Sequence, residues 1–263
     1  MTTPATREHR GRTTLRKAAG VVRWAGLLGR RTELGRRVVV VSPHLDDGVL
    51  SLGAAISFAA RRRGEVTVLT VLAGDPGSTA PAGPWDRRAG FATAGEAARV
   101  RRLEDAAACE LVGARPVWLP FSDEQYERGG DDAEIRVAVV EAAGDAQVLV
   151  PGFPLLHPDH AWLRRLLEDS FPVERVFLYT EQPYAAALTE RPGVDGVQDR
   201  EGLPPPPAWR FLRAGLGDKV RKLRACRSYR SQLPLLGDGT VSSICRYELR
   251  VGGESCARLP EGR

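Results

Sequence analysis

The segment from Val38 to Leu72 constrains this chain more than any other part of it. Four consecutive β-branched residues, Val38–Val41, lead into the loop Ser42-Pro43-His44-Leu45-Asp46-Asp47. An uncharged stretch, Gly48–Ala60, then runs to a stop at Arg61-Arg62-Arg63-Gly64, and a second apolar run covers Val66–Leu72. The two short runs read as strands buried on both faces, and the longer stretch between them as a helix. Buried strands joined through a helix are parallel, with a right-handed crossover. Residues 37–72 therefore form a βαβ unit whose first strand lies inside a sheet.

The alternation continues downstream. Val100, Leu103, Ala107 and Leu111 recur at helical spacing within Glu96–Leu111, and Gly113 ends that helix before a strand at Val117–Pro120. Asp132–Ala143 reads as a helix, Gln147–Val150 as a strand, Pro158–Ser170 as a helix and Val173–Tyr179 as a strand. Asp218–Ser231 reads as a helix and Tyr247–Val251 as a late strand. Ala73–Gly95, which holds Trp85, is a long loop of the kind that rims a binding site. Gln182–Trp209, with four prolines at 204–207, is another loop. The expected fold is α/β, a Rossmann-like three-layer sandwich with a mostly parallel sheet. One large core suits 263 residues. The expected organisation is a basic extension over residues 1–36 and a single domain over 37–263.

The net charge of +5 is unevenly placed. Residues 1–37 carry ten basic residues against Glu8 and Glu33, a net of +8, which leaves 28 basic against 31 acidic residues, a net of −3, for the rest. The expectation is no nucleic-acid face on the globular domain and a solvated basic arm. No stretch reaches the ~18 to 20 uncharged apolar residues of a membrane span. Gly20–Gly29 is broken by Arg23 and lacks a cleavage site, so no secretory leader is expected. Cys109, Cys226, Cys245 and Cys256 have no CxxC spacing, which argues against a zinc ribbon or disulfide framework and for a reducing cytoplasm. Only three lysines accompany the many arginines, a bias associated with GC-rich bacterial genomes.

In open parallel sheets, ligands bind beyond the carboxyl ends of the strands. Two loops fall there, Pro43-His44-Leu45-Asp46-Asp47 and His157-Pro158-Asp159-His160, and they hold three of the four histidines. Taken singly, Asp46 or Asp47 reads as a helix cap, Asp159 as a first-turn acid and Pro158 as an ordinary first helical residue. Convergence favours chemistry, because helix-starting carboxylates do not require neighbouring imidazoles. A histidine and carboxylate set without thiolates suits catalytic zinc, with three protein ligands and one open position. The spacing makes His44, Asp47 and His160 the candidate ligands. Asp46 and His157 are left to flank the water, one to take its proton and the other to stabilise an oxyanion.

These residues resemble the PIG-L or LmbE-like zinc-dependent N-acetylglucosamine de-N-acetylases. The family's first motif, His-Pro-Asp-Asp-Glu after a strand, is matched by His44, Leu45, Asp46, Asp47 and Gly48, and its His-x-x-His by His157 and His160. The likeness extends to Arg101–Glu104 and to Tyr229–Gln232, and spans about residues 38–251. It implies Zn²⁺, with Fe²⁺ in its place as an alternative, on His44, Asp47 and His160. It implies Asp46 as general base, His157 polarising the amide carbonyl or protonating the amine, and Asp159 tuning His157. The expected partner is a small N-acylated amino-sugar glycoconjugate. Leu45 and Gly48 depart from the motif, and loss of the acid at 48 removes an expected substrate contact. The competing reading is a catalytically silent metal- and glycan-binding module of the same fold. A nucleotide-binding reading lacks a G-x-G-x-x-G, and a serine hydrolase on Ser42 or Ser51 lacks a G-x-S-x-G elbow. Arg101 and Glu104 are expected to form an i, i+3 ion pair, and Trp85, Phe121, Tyr126, Tyr229 and Gln232 to line a sugar pocket or to pack.

Overall fold

The computed structural model of the protein describes residues 31–190 and 209–259. Its strands, in chain order, are β1 (Arg37–Ser42), β2 (Glu65–Thr70), β3 (Arg115–Trp118), β4 (Gln147–Phe153), β5 (Val176–Thr180), β6 (Arg210–Phe211) and β7 (Ser255–Arg258). They form one sheet in the order β3-β2-β1-β4-β5-β7-β6. The first five are parallel, while β7 runs antiparallel to both β5 and β6. The helices are α1 (Asp47–Arg61), α2 (Pro84–Arg88), α3 (Ala94–Val112), α4 (Asp132–Ala143), α5 (Pro158–Leu166), α6 (Tyr184–Glu190), α7 (Leu216–Cys226), α8 (Leu233–Leu236) and α9 (Thr240–Val251).

Strand β1 is central because both of its faces are apolar and covered. Side chains alternate across a strand, so Val38 and Val40 join one core with Leu52, Ile56, Cys109 and Tyr229. Val39 and Val41 join the other with Ile135, Val139 and Leu163. The chain leaves β1 towards β2 on one side and comes back to β4 on the other. That reversal opens a crevice at the carboxyl ends of β1 and β4, where both histidine loops emerge.

Several elements differ from the sequence reading. Tyr247–Val251 is the end of helix α9, and the late strand is Ser255–Arg258. The residues that α9 buries are Thr240, Ile244 and Glu248, four apart, so the helical period overrides a short run that alternates like a strand. The expected loops at 73–95 and 182–209 contain α2 and α6, while 191–208, with the four prolines, lie outside the described residues. Residues upstream of 37 already join the fold, since Thr32 bridges to Leu212 and Glu33 meets Arg213 at 2.7 Å.

Candidate active site

The loop after β1 is held from within. Ser42 Oγ accepts from the Gly48 N–H at 2.9 Å and donates to the His44 carbonyl at 2.7 Å, so the chain turns tightly and starts α1 at Asp47. The His44 N–H donates to Asp47 Oδ2 at 2.9 Å. At the end of β4, His157 caps α5 with its ring: Nδ1 accepts the Asp159 N–H at 3.2 Å, and Pro158 takes the first turn. His160 follows one turn later and is fully buried.

The two loops meet. Asp47 Oδ2 lies 3.2 Å from His44 Nδ1 and 3.1 Å from His160 Nε2, and those two nitrogens are 3.3 Å apart. Tetrahedral zinc with bonds of ~2.0 to 2.1 Å needs donors about 3.3 to 3.4 Å apart. The triangle therefore fits a small divalent cation. The outer nitrogens are held from behind. His44 Nε2 donates to Asp159 Oδ2 at 3.0 Å and His160 Nδ1 to Glu181 Oε2 at 2.7 Å, so that a cation displacing the inner protons would meet a lone pair of each inner nitrogen. His157 also brings a ring nitrogen within 4.8 Å of the other two, so three imidazoles could hold a metal between them. The set with Asp47 is the tighter one, and His157 Nδ1 is already engaged by the backbone.

The electrostatics separate the groups. Burial opposes charge on His44, but hydrogen bonds to Asp159 and Asp47 raise it to about 9. Burial likewise opposes charge on His160, and the charges of Asp47 and Glu181 raise it to about 10. Despite burial, Asp47 is held far below the usual carboxylate range by His160 and His44. Asp46, 7% exposed, is pushed up to about 8, first by burial and then by the charge of Asp47. Its carboxylate makes no cap hydrogen bond. His157 is lowered to about 4 by burial and by its two imidazole neighbours, so its ring is neutral near pH 7. With Nδ1 accepting, the proton of that neutral ring sits on Nε2.

Asp159 spends its carboxylate on His44 and on Arg128 NH2, 2.9 Å away, and bears on His157 through its backbone N–H and through its charge, which opposes the lowering of that imidazole. Arg128 in turn stacks over Trp162 at 4.0 Å. Arg101 and Glu104 do not pair with each other. Arg101 is buried with NH1 3.5 Å from Asp86, and its Nε has no partner. Glu104 accepts from Ser231 N–H and Oγ. Tyr229 is core and donates to Asp105, whereas Gln232 accepts from Trp85 Nε1 at the cavity wall. Phe121 is buried in the core, and Tyr126 donates to Asp86. At position 48 a Cβ would meet Val68 at 3.2 Å and Val40 at 3.3 Å. Glycine there lets α1 approach the sheet, and the missing acid would start into the core, not the site.

The cavity over the donors measures about 380 Å³, within the range of small-molecule sites, and Asp46, His157, Trp85, Arg101, Asp123 and Tyr184 are among its walls. Sequence reasoning missed Glu181, Arg128 and Tyr184. Glu181 directly follows β5, the neighbour of β4, so the strand-end rule that picked the histidines also reaches it.

Among solved structures, the A40926 pseudoaglycone deacetylase Dbv21 is 28% identical, with a TM-score of 0.67 over 85% of this chain and 96% of that one. A triple mutant of a deacetylase of the teicoplanin biosynthetic pathway is 26% identical, with a TM-score of 0.63 over 86% of this chain and 100% of its own. The 4-carboxy-2-hydroxymuconate hydratase GalB of Pseudomonas putida KT2440, at 17% identity and a TM-score of 0.57 over 87% of this chain and 98% of its own, shares the fold alone. Among curated proteins there is no significant match. The family model described as GlcNAc-PI de-N-acetylase, PIG-L, matches residues 39–171, from β1 through both histidine loops, and the chain belongs to this deacetylase family.

Proposed function

We propose that the protein is a metal-dependent hydrolase that removes an acetyl or other acyl group from an N-acylated amino sugar in a small glycoconjugate. The observation that carries this reading is a three-atom donor triangle beside a buried carboxylate, Asp46, that no cap or ion pair consumes. His44, Asp47 and His160 would hold the cation, Zn²⁺ by donor type, with Fe²⁺ as the alternative. When bound, it supplies Lewis acidity that acidifies water and polarises a carbonyl.

The remaining work falls to side chains of the chain itself. Burial and the Asp47 charge favour the protonated form of Asp46 near pH 7. A cation held beside it would favour the carboxylate, which can then accept a proton from the attacking water and pass it to the departing nitrogen. His157 donates its Nε2–H to the carbonyl oxygen as negative charge develops there, as a neutral donor that needs no proton from solvent. Asp159 acts through His44, whose outer nitrogen it holds. Arg101 and Asp123, both on the cavity wall, offer a donor and an acceptor to sugar hydroxyls. The names of the two deacetylases described above point to antimicrobial pseudoaglycones and intermediates of the teicoplanin pathway as the first substrates to try.

The test combines metal analysis with free-amine and acetate release from a panel of N-acetylglucosaminides and antimicrobial pseudoaglycones. Asp46→Asn should keep the metal and lose turnover by about 10²- to 10⁴-fold. His160→Ala should lose both. Wild-type turnover in either variant overturns the reading, and chelator-insensitive sugar binding without any release would favour the silent module instead.

A further inference from the structure

Helices α7 and α9 carry a surface that the reaction does not use. Between them runs an apolar groove of about 210 Å³, walled by Val220, Leu223, Val241 and Ile244, with Leu216 and Leu249 at its edges. Leu216 is 80% exposed and Leu249 70%. Single exposed leucines are ordinary, but these two share one groove. It continues past Leu216 and Val220 into a shallower depression of about 390 Å³ lined by Arg221 and Arg224.

Charge on this surface is strongly segregated. Arg221, Arg224, Arg227, Arg246 and Arg250 are exposed on or beside the two helices. Of the acids between residues 213 and 251, Asp218 is buried against Arg61 and Glu248 against Lys222, which leaves Asp238 as the exposed one. The net of −3 over residues 38–263 conceals this face.

The basic arm joins the fold against the segments that lead into α7 and out of α9. Arg31, the first described residue, donates to the Leu212 carbonyl at 3.3 Å and lies 3.3 Å from where a Cβ on Gly253 would sit. Leu212 is four residues before Leu216, and Gly253 is four residues after Leu249. The thirty residues upstream of Arg31 hold seven basic residues against Glu8, together with Val21, Val22, Trp24, Leu27 and Leu28.

We propose that the α7–α9 groove and its arginine rim dock the protein on an anionic lipid bilayer. Leu216 and Leu249 enter the boundary between headgroups and acyl chains, and the arginines face lipid phosphates. The basic arm, which enters the fold where the chain leads into α7 and leaves α9, adds a second membrane signal, and stable anchoring needs two. A second copy of the chain would set arginine rim against arginine rim. The arm folded into the groove would bring Arg23 and Arg30 against the same rim. Nucleic acid would satisfy the arginines and leave the leucines in water.

The experiment uses the full-length protein and vesicles of phosphatidylcholine with an equal part of phosphatidylglycerol, against vesicles of phosphatidylcholine alone. Cosedimentation should occur with the anionic vesicles and weaken as salt rises. Arg221→Gln and Arg224→Gln should each lower the binding constant about fivefold. Leu216→Ser and Leu249→Ser should each lower it about tenfold. All four positions are exposed, and an unchanged melting curve confirms that each variant folds. Equal binding to both vesicle types, or wild-type binding by the groove variants, overturns the proposal; in the latter case the arm alone holds the vesicle. A second measurement places a polarity-sensitive dye on Leu249→Cys in a Cys245→Ser background, since the other three cysteines are buried. Its emission should shift to the blue when anionic vesicles are added. A dye already shifted in their absence and unmoved by them shows a groove covered by protein, and duplex DNA binding that the leucine variants leave intact while vesicles fail to compete assigns the face to nucleic acid. Either result overturns the proposal.

Discussion

Two buried ionic clusters on helix α1 differ in whether their charges close on one another. At its middle, Lys222 Nζ contacts Glu248 and Glu254, the latter at 2.7 Å. The two Glu254 oxygens take the N–H groups of Ala54 and Ala55 at 2.9 and 2.7 Å. Here carboxylate, ammonium and backbone satisfy each other. At the N-terminus of α1 the burial is just as deep, yet His44, Asp47 and His160 point their inner atoms at one shared centre while Asp159 and Glu181 hold the outer ones. Perturbed protonation marks both places, since Lys222 is also driven upward, against burial, by Glu248 and Glu254. Converging donors with a supported rear, not burial or a shifted pKa, separate the site from the scaffold.

That contrast breaks most visibly under paired substitutions. His160→Ala should abolish bound metal and lower deacetylation by the folded fraction by more than about a hundredfold, the level that loss of a mere supporting contact reaches. Lys222→Met should do the opposite, destabilising by about 3 to 5 kcal/mol because two carboxylates stay buried without their cation, while the folded fraction keeps its metal. Loss of metal from folded Lys222→Met would erase the distinction. Arg128→Gln lies between them. It frees Asp159 and loosens His44, so metal affinity measured by chelator competition should fall about 10- to 100-fold, with global stability nearly unchanged. Wild-type affinity would show that Arg128 serves only to stack on Trp162.

Much of the site was legible because the signals are local. A β-branched run gives β1, and the chain must then put His44 and Asp47 at a strand end. Pro158 starts α5 and so fixes how His160 follows His157. What stayed hidden depends on contacts between distant segments. Glu181 comes from β5, and Arg128 comes from the region between β3 and α4. Arg101 and Glu104 stand three apart and suggest each other, yet one turns to Asp86 and the other to Ser231, partners that only the tertiary fold brings to α3. Helix α9 was lost to a short alternating run, and the basic face to an average, since two of the acids that balance it in the composition are buried.

A smaller test concerns the family motif. Gly48→Ala should cost about 1 kcal/mol, as a methyl group presses on Val40 and Val68, and Gly48→Glu should cost more without improving turnover. A gain in turnover from Gly48→Glu would place that side chain in the cavity and reverse the reading of the departure.

The smallest effect lies at the far end of α1, where Asp218 accepts from Arg61 Nε and NH2 at 2.8 Å each, from Ser57 Oγ at 2.9 Å and from the Gly215 N–H at 2.9 Å. Burial works against its charge, but these donors hold its pKa below the ordinary carboxylate value. The folded value is therefore below the unfolded one of about 3.9. The stabilisation is complete above that pH and is lost as pH falls through the folded value. The stability difference between the wild type and Asp218→Asn should shrink between about pH 5 and pH 3, as read from urea midpoints of the two proteins in matched buffers. Arg61 is half exposed, so solvent screens the pair and the change is expected to be modest. A difference that stays constant with pH would mean that the Asp218 charge adds nothing to the fold and that its hydrogen bonds alone position α7 against α1.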